Sequence, residues 1–219
     1  MPRKTREVQR AETRSRLVAE ARAVFAEVGF HCASIEEITD RAGYSRGAFY
    51  SNFSSKEDLF LTVVESSTQA RLEELREIFG RDPSLRVYAT LVGEAEERVE
   101  RGSRPFDPAD DPWAYSFAEF TLHAARNPEW RTRLASLHSS IRATYAELVS
   151  EQASHLGFEL TFPPDQLGSM QMALEMGLYL QQIIDPACVP GEFNMHFLEF
   201  VVRSMAALST EGAAAQPDR

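Results

Sequence analysis

Two helix-start signals follow one another so closely near the beginning of this chain that both helices must be short and must turn sharply between them. Ser34 with Glu37 three residues on is a capping box, which starts a helix at Ile35. Ser45 is a second N-cap, and Gly43 before it supplies the left-handed conformation that a tight turn needs. Ile35, Ile38 and Ala42 form the buried stripe of the first short helix, and Phe49 faces inward from the second. Upstream, Leu17, Ala21, Val24, Phe25 and Val28 recur at helical spacing until Gly29 ends that helix. Downstream, Ser55 with Asp58 caps a longer helix that runs to about Phe79. Two short capped helices joined by a glycine turn and packed on a preceding helix make a helix-turn-helix.

The rest of the chain is helical in pattern and shows no convincing alternating strand. Gly80-Arg81-Asp82-Pro83 is the first clear break. Further helices are predicted near 84–101, 112–126, 128–156, 164–185 and 191–208. They are separated at Gly102 to Pro112, Asn127-Pro128, Gly157 to Pro163 and Asp185 to Gly191. The expected fold is all-α with about nine helices. Residues 1–60 make a three-helix reader whose supporting helix continues to 79, residues 80–208 a larger helical domain, and residues 209–219 a disordered tail.

Charge narrows the function. The chain carries a net charge of −10, which excludes a protein that coats nucleic acid by bulk attraction. Residues 1–60 are an exception, with 10 Lys or Arg against 9 Asp or Glu, and the first 16 residues hold 6 against 2. The amino-terminal segment is therefore the place for a polyanion. Two cysteines, Cys32 and Cys188, make no disulfide framework and suit a reducing cytosol. No apolar run reaches membrane-spanning length, and the polar start is not a signal peptide.

In the second short helix Phe49 and Phe53 are spaced i, i+4 and should face the core. Arg46, Gly47, Ala48, Tyr50, Ser51 and Asn52 fall on the opposite face, where small residues let the backbone approach base edges. Arg46 is placed to reach O6 and N7 of a guanine, and Ala48 to touch a thymine methyl. Ser34, Tyr44, Tyr50 and Lys56 are candidate phosphate donors. On spacing alone, a solvated helix face with a single Arg reads the same way.

Residues 13–60 also carry Thr13-Arg14, Leu17, Ala21, Phe25, Gly29-Phe30, Ala33-Ser34-Ile35, Ile38, Ala42-Gly43 and Ser45-Arg46-Gly47. Phe49-Tyr50, Asn52-Phe53, Ser55-Lys56 and Leu59 complete the run. In this run the chain closely resembles the DNA-binding domain of the TetR family of bacterial transcriptional regulators, with Thr39 where the family usually has Ala. The resemblance implies base contacts from Arg46, Gly47 and Ala48. It implies phosphate contacts from Ser34, Tyr44, Ser45, Tyr50, Asn52 and Lys56. The arm Pro2-Arg3-Lys4-Thr5-Arg6 either tracks phosphate or enters a minor groove, or is a solubilising, disordered end.

The larger domain resembles the family in architecture, which implies a dimer that holds an effector. The stretches Glu119 to Glu129 and Met176 to Gln181 also look like family carboxy-terminal domains. Independently, the helices at 164–185 and 191–208 are apolar nearly all round, and such helices must be covered on two sides. A second copy of the chain covers them most simply. Leu167, Leu174, Leu178, Phe193, Phe197, Phe200 and Met205 are the interface candidates, and Gly168 and Gly177 permit close approach. Trp113, Phe117, Phe120, Thr121, His123, Trp130, Tyr145, Met172, Met176 and Tyr179 are candidates for a pocket holding a mid-sized apolar or aromatic effector. For any one of them taken singly, ordinary core packing is the better explanation. Glu119 and His123 share a helix face but have no second ligand pair, so no metal is expected. No phosphate loop, dinucleotide fingerprint or nucleophile elbow occurs.

With the resemblance, the expected protein is a cytoplasmic, homodimeric, one-component transcriptional regulator with no enzymatic activity and no resident cofactor. It would act as a repressor on a palindromic operator in double-stranded DNA and be released by a small molecule. The alternatives are an architectural or partner-regulated DNA-binding protein without an effector, and a helical-bundle enzyme built around Glu119 and His123.

Overall fold

The structure, a computed structural model, describes residues 5–81, 113–185 and Phe200. Seven helices are described: α1 (Arg6–Cys32), α2 (Ile35–Ala42), α3 (Arg46–Tyr50), α4 (Lys56–Arg81), α5 (Trp113–Arg126), α6 (Pro128–Leu156) and α7 (Pro164–Ile184). No strand occurs among the described residues, as the sequence predicts. The helices expected near 84–101 and 191–208, the Gly102–Pro112 stretch and the tail 209–219 lie outside them, apart from Phe200. No described helix is long and apolar enough to cross a membrane.

Packing divides the described chain differently from the break at Gly80. One unit contains residues 5–69 and 113–135, the other residues 70–81 and 136–185. The boundary passes through the interior of α4 and of α6, where neither Gly nor Pro marks it. The cause of the regrouping is aromatic. Phe120 of α5 is fully buried, with its ring stacked 4.5 Å from Phe60 of α4 and edge-on at 5.0 Å from Phe30 of α1. Phe25 joins them edge-on to Phe60 at 4.9 Å. Ser116, also buried, donates its hydroxyl to the carbonyl of Phe25. Each buried phenyl contributes about 1.5–3 kcal/mol of transfer free energy, and offset or edge-on pairs add roughly 0.5–1.5 kcal/mol. These contacts join residues far apart in the chain, which no local pattern reveals. α5 is thus a fourth layer of the amino-terminal unit.

The second unit has its own core. Leu72 and Phe79 of α4 pack with Tyr145 and Leu148 of α6, flanked by Leu75, Ile78, Ile141, Leu156 and Phe158. The Tyr145 hydroxyl donates to the Glu175 carboxylate of α7, 2.8 Å from Oε2 and 2.9 Å from Oε1. α7 approaches α6 closely at Gly168, where a Cβ would collide with the Arg142 carbonyl. Gly168 therefore serves a contact within the chain, while among the described residues nothing lies within 4 Å of a Cβ at Gly177.

Two expectations for α7 need correction. Leu167 and Leu178 are buried in their own unit, with Leu174 half-buried on the same side. The open apolar face is instead Met170, Leu180 and Ile184, at 52%, 55% and 84% exposure. Residues at i, i+7 and i+11 share one helix face, and the sequence does not say which of two apolar faces its own core takes. Phe200 is exposed, and Phe193, Phe197 and Met205 lie outside the described residues.

Phe120→Ala should destabilise the protein by about 3–5 kcal/mol, the range for emptying a packed aromatic site. Leu122→Ala, on the same helix but 63% exposed, should stay within about 0.5 kcal/mol of the parent. Urea unfolding measures both; similar small values would place Phe120 in a yielding cavity wall instead of a core.

Candidate DNA-reading surface

The reader begins with a break. Gly29 sits at φ 82° and ψ 165°, a conformation open to glycine, and interrupts α1 so that its last turn runs in a new direction. Breaking a helix leaves its N–H and C=O groups without partners. Two opposite charges supply them. Glu119 Oε2 accepts from the His31 N–H at 3.0 Å. Lys56 Nζ donates to the carbonyls of Phe30, His31 and Ala33 at 2.7, 3.3 and 2.9 Å, and lies 4.7 Å from the centroid of the Phe30 ring. Burial pushes the Lys56 pKa down, opposed by Glu57, Cys32 and Glu119.

The chain leaves this corner straight into α2. Ser34 Oγ accepts from the Glu37 N–H at 3.1 Å, the cap expected from the sequence. Thr39, buried where an Ala is expected, satisfies its hydroxyl on the Glu36 carbonyl at 2.9 Å. Arg41 ties α2 to α1 by bonding Glu27 at 2.8 Å and Glu37 at 2.7 Å, and these carboxylates raise its pKa. Gly43 adopts φ 74° and ψ 31°, and the Tyr44 N–H closes the turn on the Thr39 carbonyl at 2.9 Å. Ser45 Oγ then caps α3 by accepting from the Ala48 N–H at 3.2 Å.

α3 is one short turn with its inner face fully committed. Phe49 and Phe53 are buried. Arg46, Gly47, Tyr50 and Ser51 are exposed, and Ala48 is half-buried. Among the described residues Arg46 has neither a hydrogen bond nor an ion pair, and is not held by any neighbour. A Cβ at Gly47 would meet only Ser45 Oγ, at an ordinary 3.6 Å, so the fold does not require glycine there. Ser34 and Ser45 accept with their oxygens and keep their hydroxyl protons to donate outward. Tyr50 presents its phenol to solvent, and Tyr44 is half-buried.

Two residues expected at phosphates are placed otherwise. All three N–H donors of Lys56 face main-chain carbonyls. Asn52 is folded back on α3, with Nδ2 donating to the Ala48 carbonyl at 2.8 Å and Oδ1 shielded from solvent. Two residues not singled out in the sequence reach α3 from α1. Arg10 Nη2 donates to the Ser51 carbonyl at 3.1 Å, and Arg14 Nη1 to the Asn52 carbonyl at 3.0 Å. Their i, i+4 spacing on one face of α1 is the only signal of this that the sequence holds.

The expected effector site is redistributed as well. Phe117, Phe120, Thr121, His123 and Trp130 belong to the first unit, and Tyr145, Met172 and Met176 to the second. Phe120 is core, Trp130 is buried with the Arg133 guanidinium 4.9 Å above it, and Thr121 donates to its own helix at Phe117. Tyr145 belongs to the second core, and Met172 is buried. The side chains of Trp113 and Tyr179 lie outside the described residues. His123 packs on Phe30 at 5.2 Å, with Nε2 3.5 Å from Glu57 Oε1. With His31, Glu119, Leu122, Arg126 and Asn127 it lines a groove of about 390 Å³ in the first unit. Among the described residues no three His, Cys, Asp or Glu side chains come together as metal ligands.

A glycine-turned pair of short helices, the second exposing an unpaired Arg beside residues without bulk, is a helix-turn-helix DNA-binding surface. The model of the family described as bacterial regulatory proteins, tetR family, matches residues 17–63. The transcriptional activator FasR of Mycolicibacterium smegmatis is 45% identical over 56 residues, 26% of this chain and 26% of that protein. YfiR of Bacillus subtilis, an uncharacterised HTH-type transcriptional regulator, is 27% identical over 150 residues, 68% of this chain and 69% of its own length. A transcriptional regulator from Rhodococcus sp. Rha1 superposes with a TM-score of 0.60 at 26% identity, over 90% of this chain and 97% of that one. The chain thus spans about a quarter of FasR and about two thirds of YfiR. Residues 17–63 are matched to the DNA-binding domain of the TetR family, and the likeness of the whole chain to a transcriptional regulator extends over nine tenths of its length.

Lys56→Met should lower stability by about 2–3 kcal/mol, because carbonyls at the corner lose a charged donor. The salt slope of DNA binding should not change. A slope reduced by roughly 0.9 per protomer at unchanged stability would return Lys56 to the phosphates.

Proposed function

We propose that this protein is a sequence-specific transcriptional regulator of the cytoplasm that binds an inverted-repeat operator as a homodimer, with Arg46, Gly47 and Ala48 of α3 reading base edges. The observation that carries the reading is Arg46: exposed, unpaired, at the start of a capped helix whose other face is locked by Phe49 and Phe53. A guanidinium so placed matches the O6 and N7 acceptors of guanine, and Gly47 leaves room for the groove wall. Ser34, Tyr44, Ser45 and Tyr50 supply neutral donors to the backbone phosphates.

The open face of Met170, Leu180 and Ile184 supports the dimer, since an exposed apolar stripe this long is costly in a monomer. Two-fold pairing would set two reading helices about 34–36 Å apart, one turn of DNA. We assign the second unit to a small-molecule effector that favours one dimer geometry over another and so releases the operator, in the manner of a repressor. α4 contributes Phe60 to one core and Phe79 to the other.

Selection from random duplex DNA by the full-length protein should recover an inverted repeat with half-sites about one turn apart. On that site Arg46→Ala should cost about 1–3 kcal/mol and relax one position. Gly47→Ala should leave folding intact or improve it by roughly 0.5–1 kcal/mol while weakening the specific complex. Recovery of no sequence by a folded dimer at low salt would overturn the reading. Equal loss on specific and random DNA for Arg46→Ala would reduce that residue to a phosphate contact.

A further inference from the structure

The reader's cations are mostly occupied inside the protein. Of eight Lys and Arg residues in 5–60, Arg16 pairs with Glu20 at 3.8 Å and Arg22 bonds Ser67 at 2.9 Å. Arg41 and Lys56 are held as described, and Arg10 and Arg14 reach the end of α3. Only Arg6 and Arg46 have no partner among the described residues.

We infer that Arg10 and Arg14 are positioning residues of the reading helix, which fix the angle of α3 and thereby set sequence discrimination without contacting phosphate. The inference rests on the reading of α3 as the base-contacting element. α3 has five residues, too few to hold its own direction, and its last carbonyls carry the negative end of the helix dipole. The two guanidiniums bind there. Arg14 is the stronger tether: besides the Asn52 carbonyl it bonds Thr62 Oγ1 of α4 at 3.2 Å and lies 4.4 Å from the centroid of the Phe53 ring. One planar fork therefore joins α1, the end of α3 and α4. Ser51 Oγ and Asn52 Nδ2 satisfy the Gly47 and Ala48 carbonyls from within α3. With Ser45 fixing the other end, Arg46 starts from a defined position. A bidentate base contact tolerates little misplacement, whereas a phosphate contact is forgiving. Loosening α3 should therefore remove specific affinity and spare non-specific affinity.

The test uses the full-length protein with Arg14→Met, Arg14→Lys and Arg10→Met. Affinities for the selected site and for random duplex are measured across a salt series, with thermal unfolding alongside. Arg14→Met should lose ~10-fold on the site, the scale of one base contact, with the salt slope unchanged and random binding altered less than about 2-fold. Lys at 14 should not rescue, since an ammonium is a point donor and cannot span the fork. Parallel loss on both DNAs, a slope reduced by roughly 0.9 per protomer and rescue by Lys would show a phosphate contact and overturn the inference. If Arg14→Met fails to fold, Arg10→Met, with its single hydrogen bond, carries the same test at about 3-fold. Amide exchange in the free protein separates this inference from the operator reading. Faster exchange at Phe49–Phe53 in the variants reports the cap even if the parent selects no sequence, and unchanged exchange refutes it.

Discussion

The reader hangs on the corner at residues 29–33. An uninterrupted α1 would point the chain away from α2, so Gly29 must break it, and the break exposes main-chain groups on both sides. An unsatisfied, shielded N–H or C=O costs about 1–3 kcal/mol, and one N–H and three carbonyls at this corner are held by only two side chains. Glu119 and Lys56 act from different helices and with opposite charge, so the corner is gripped from two directions. Its direction fixes where Ser34 can cap α2, and α2 in turn fixes the Gly43 turn and the start of α3. The Phe30 ring, packed against Phe60 and Phe120 with the Lys56 ammonium over its face, holds the same corner from the apolar side.

The same logic runs through the charges. The chain carries a net charge of −10, and among the described residues most amino-terminal cations brace helices against one another. On the proposed reading, what remains for the duplex among the described residues is Arg6, the free guanidinium of Arg46 on α3, hydroxyls at helix starts and a glycine that lets the backbone come close. Such a surface favours discrimination over raw affinity, because neutral donors lose little when salt rises, while misplaced ones gain nothing. The bracing and the reading are therefore parts of one arrangement. Each Arg that caps a carbonyl is withdrawn from the phosphates, and the short helix it steadies becomes a better reader of bases.

Features set by near neighbours are legible in the order of the residues alone. Ser34 over Glu37, Ser45 over Ala48, Gly43 in the turn and Phe49 with Phe53 on one face all follow from spacing within a turn or two. Features set by distant packing are not. Lys56 reads as a phosphate donor because it starts a helix, and only the fold shows three carbonyls waiting for it. Phe120 and His123 read as lining for a ligand because they are bulky and lie beyond the Gly80 break; the ring contacts with Phe30 and Phe60 place them in the reader. On α7 two apolar faces are visible, but periodicity does not say which one the chain keeps for itself. Glu119 is the sharpest case. Beside His123 it suggests a metal or an acid catalyst, yet its carboxylate caps an N–H 88 positions away.

That placement also limits how an effector can act. Protein interiors are close-packed, so a buried aromatic cluster moves as a block or not at all. α5 contributes Phe120 and Ser116 to the reader's core and Glu119 to its corner. Residues 113–135 therefore cannot reshape freely around a small molecule while α2 and α3 keep their positions. On the proposed reading, an effector that spares the reader is held by the second unit, where Tyr145, Glu175 and Gln171 form a polar cluster between α6 and α7.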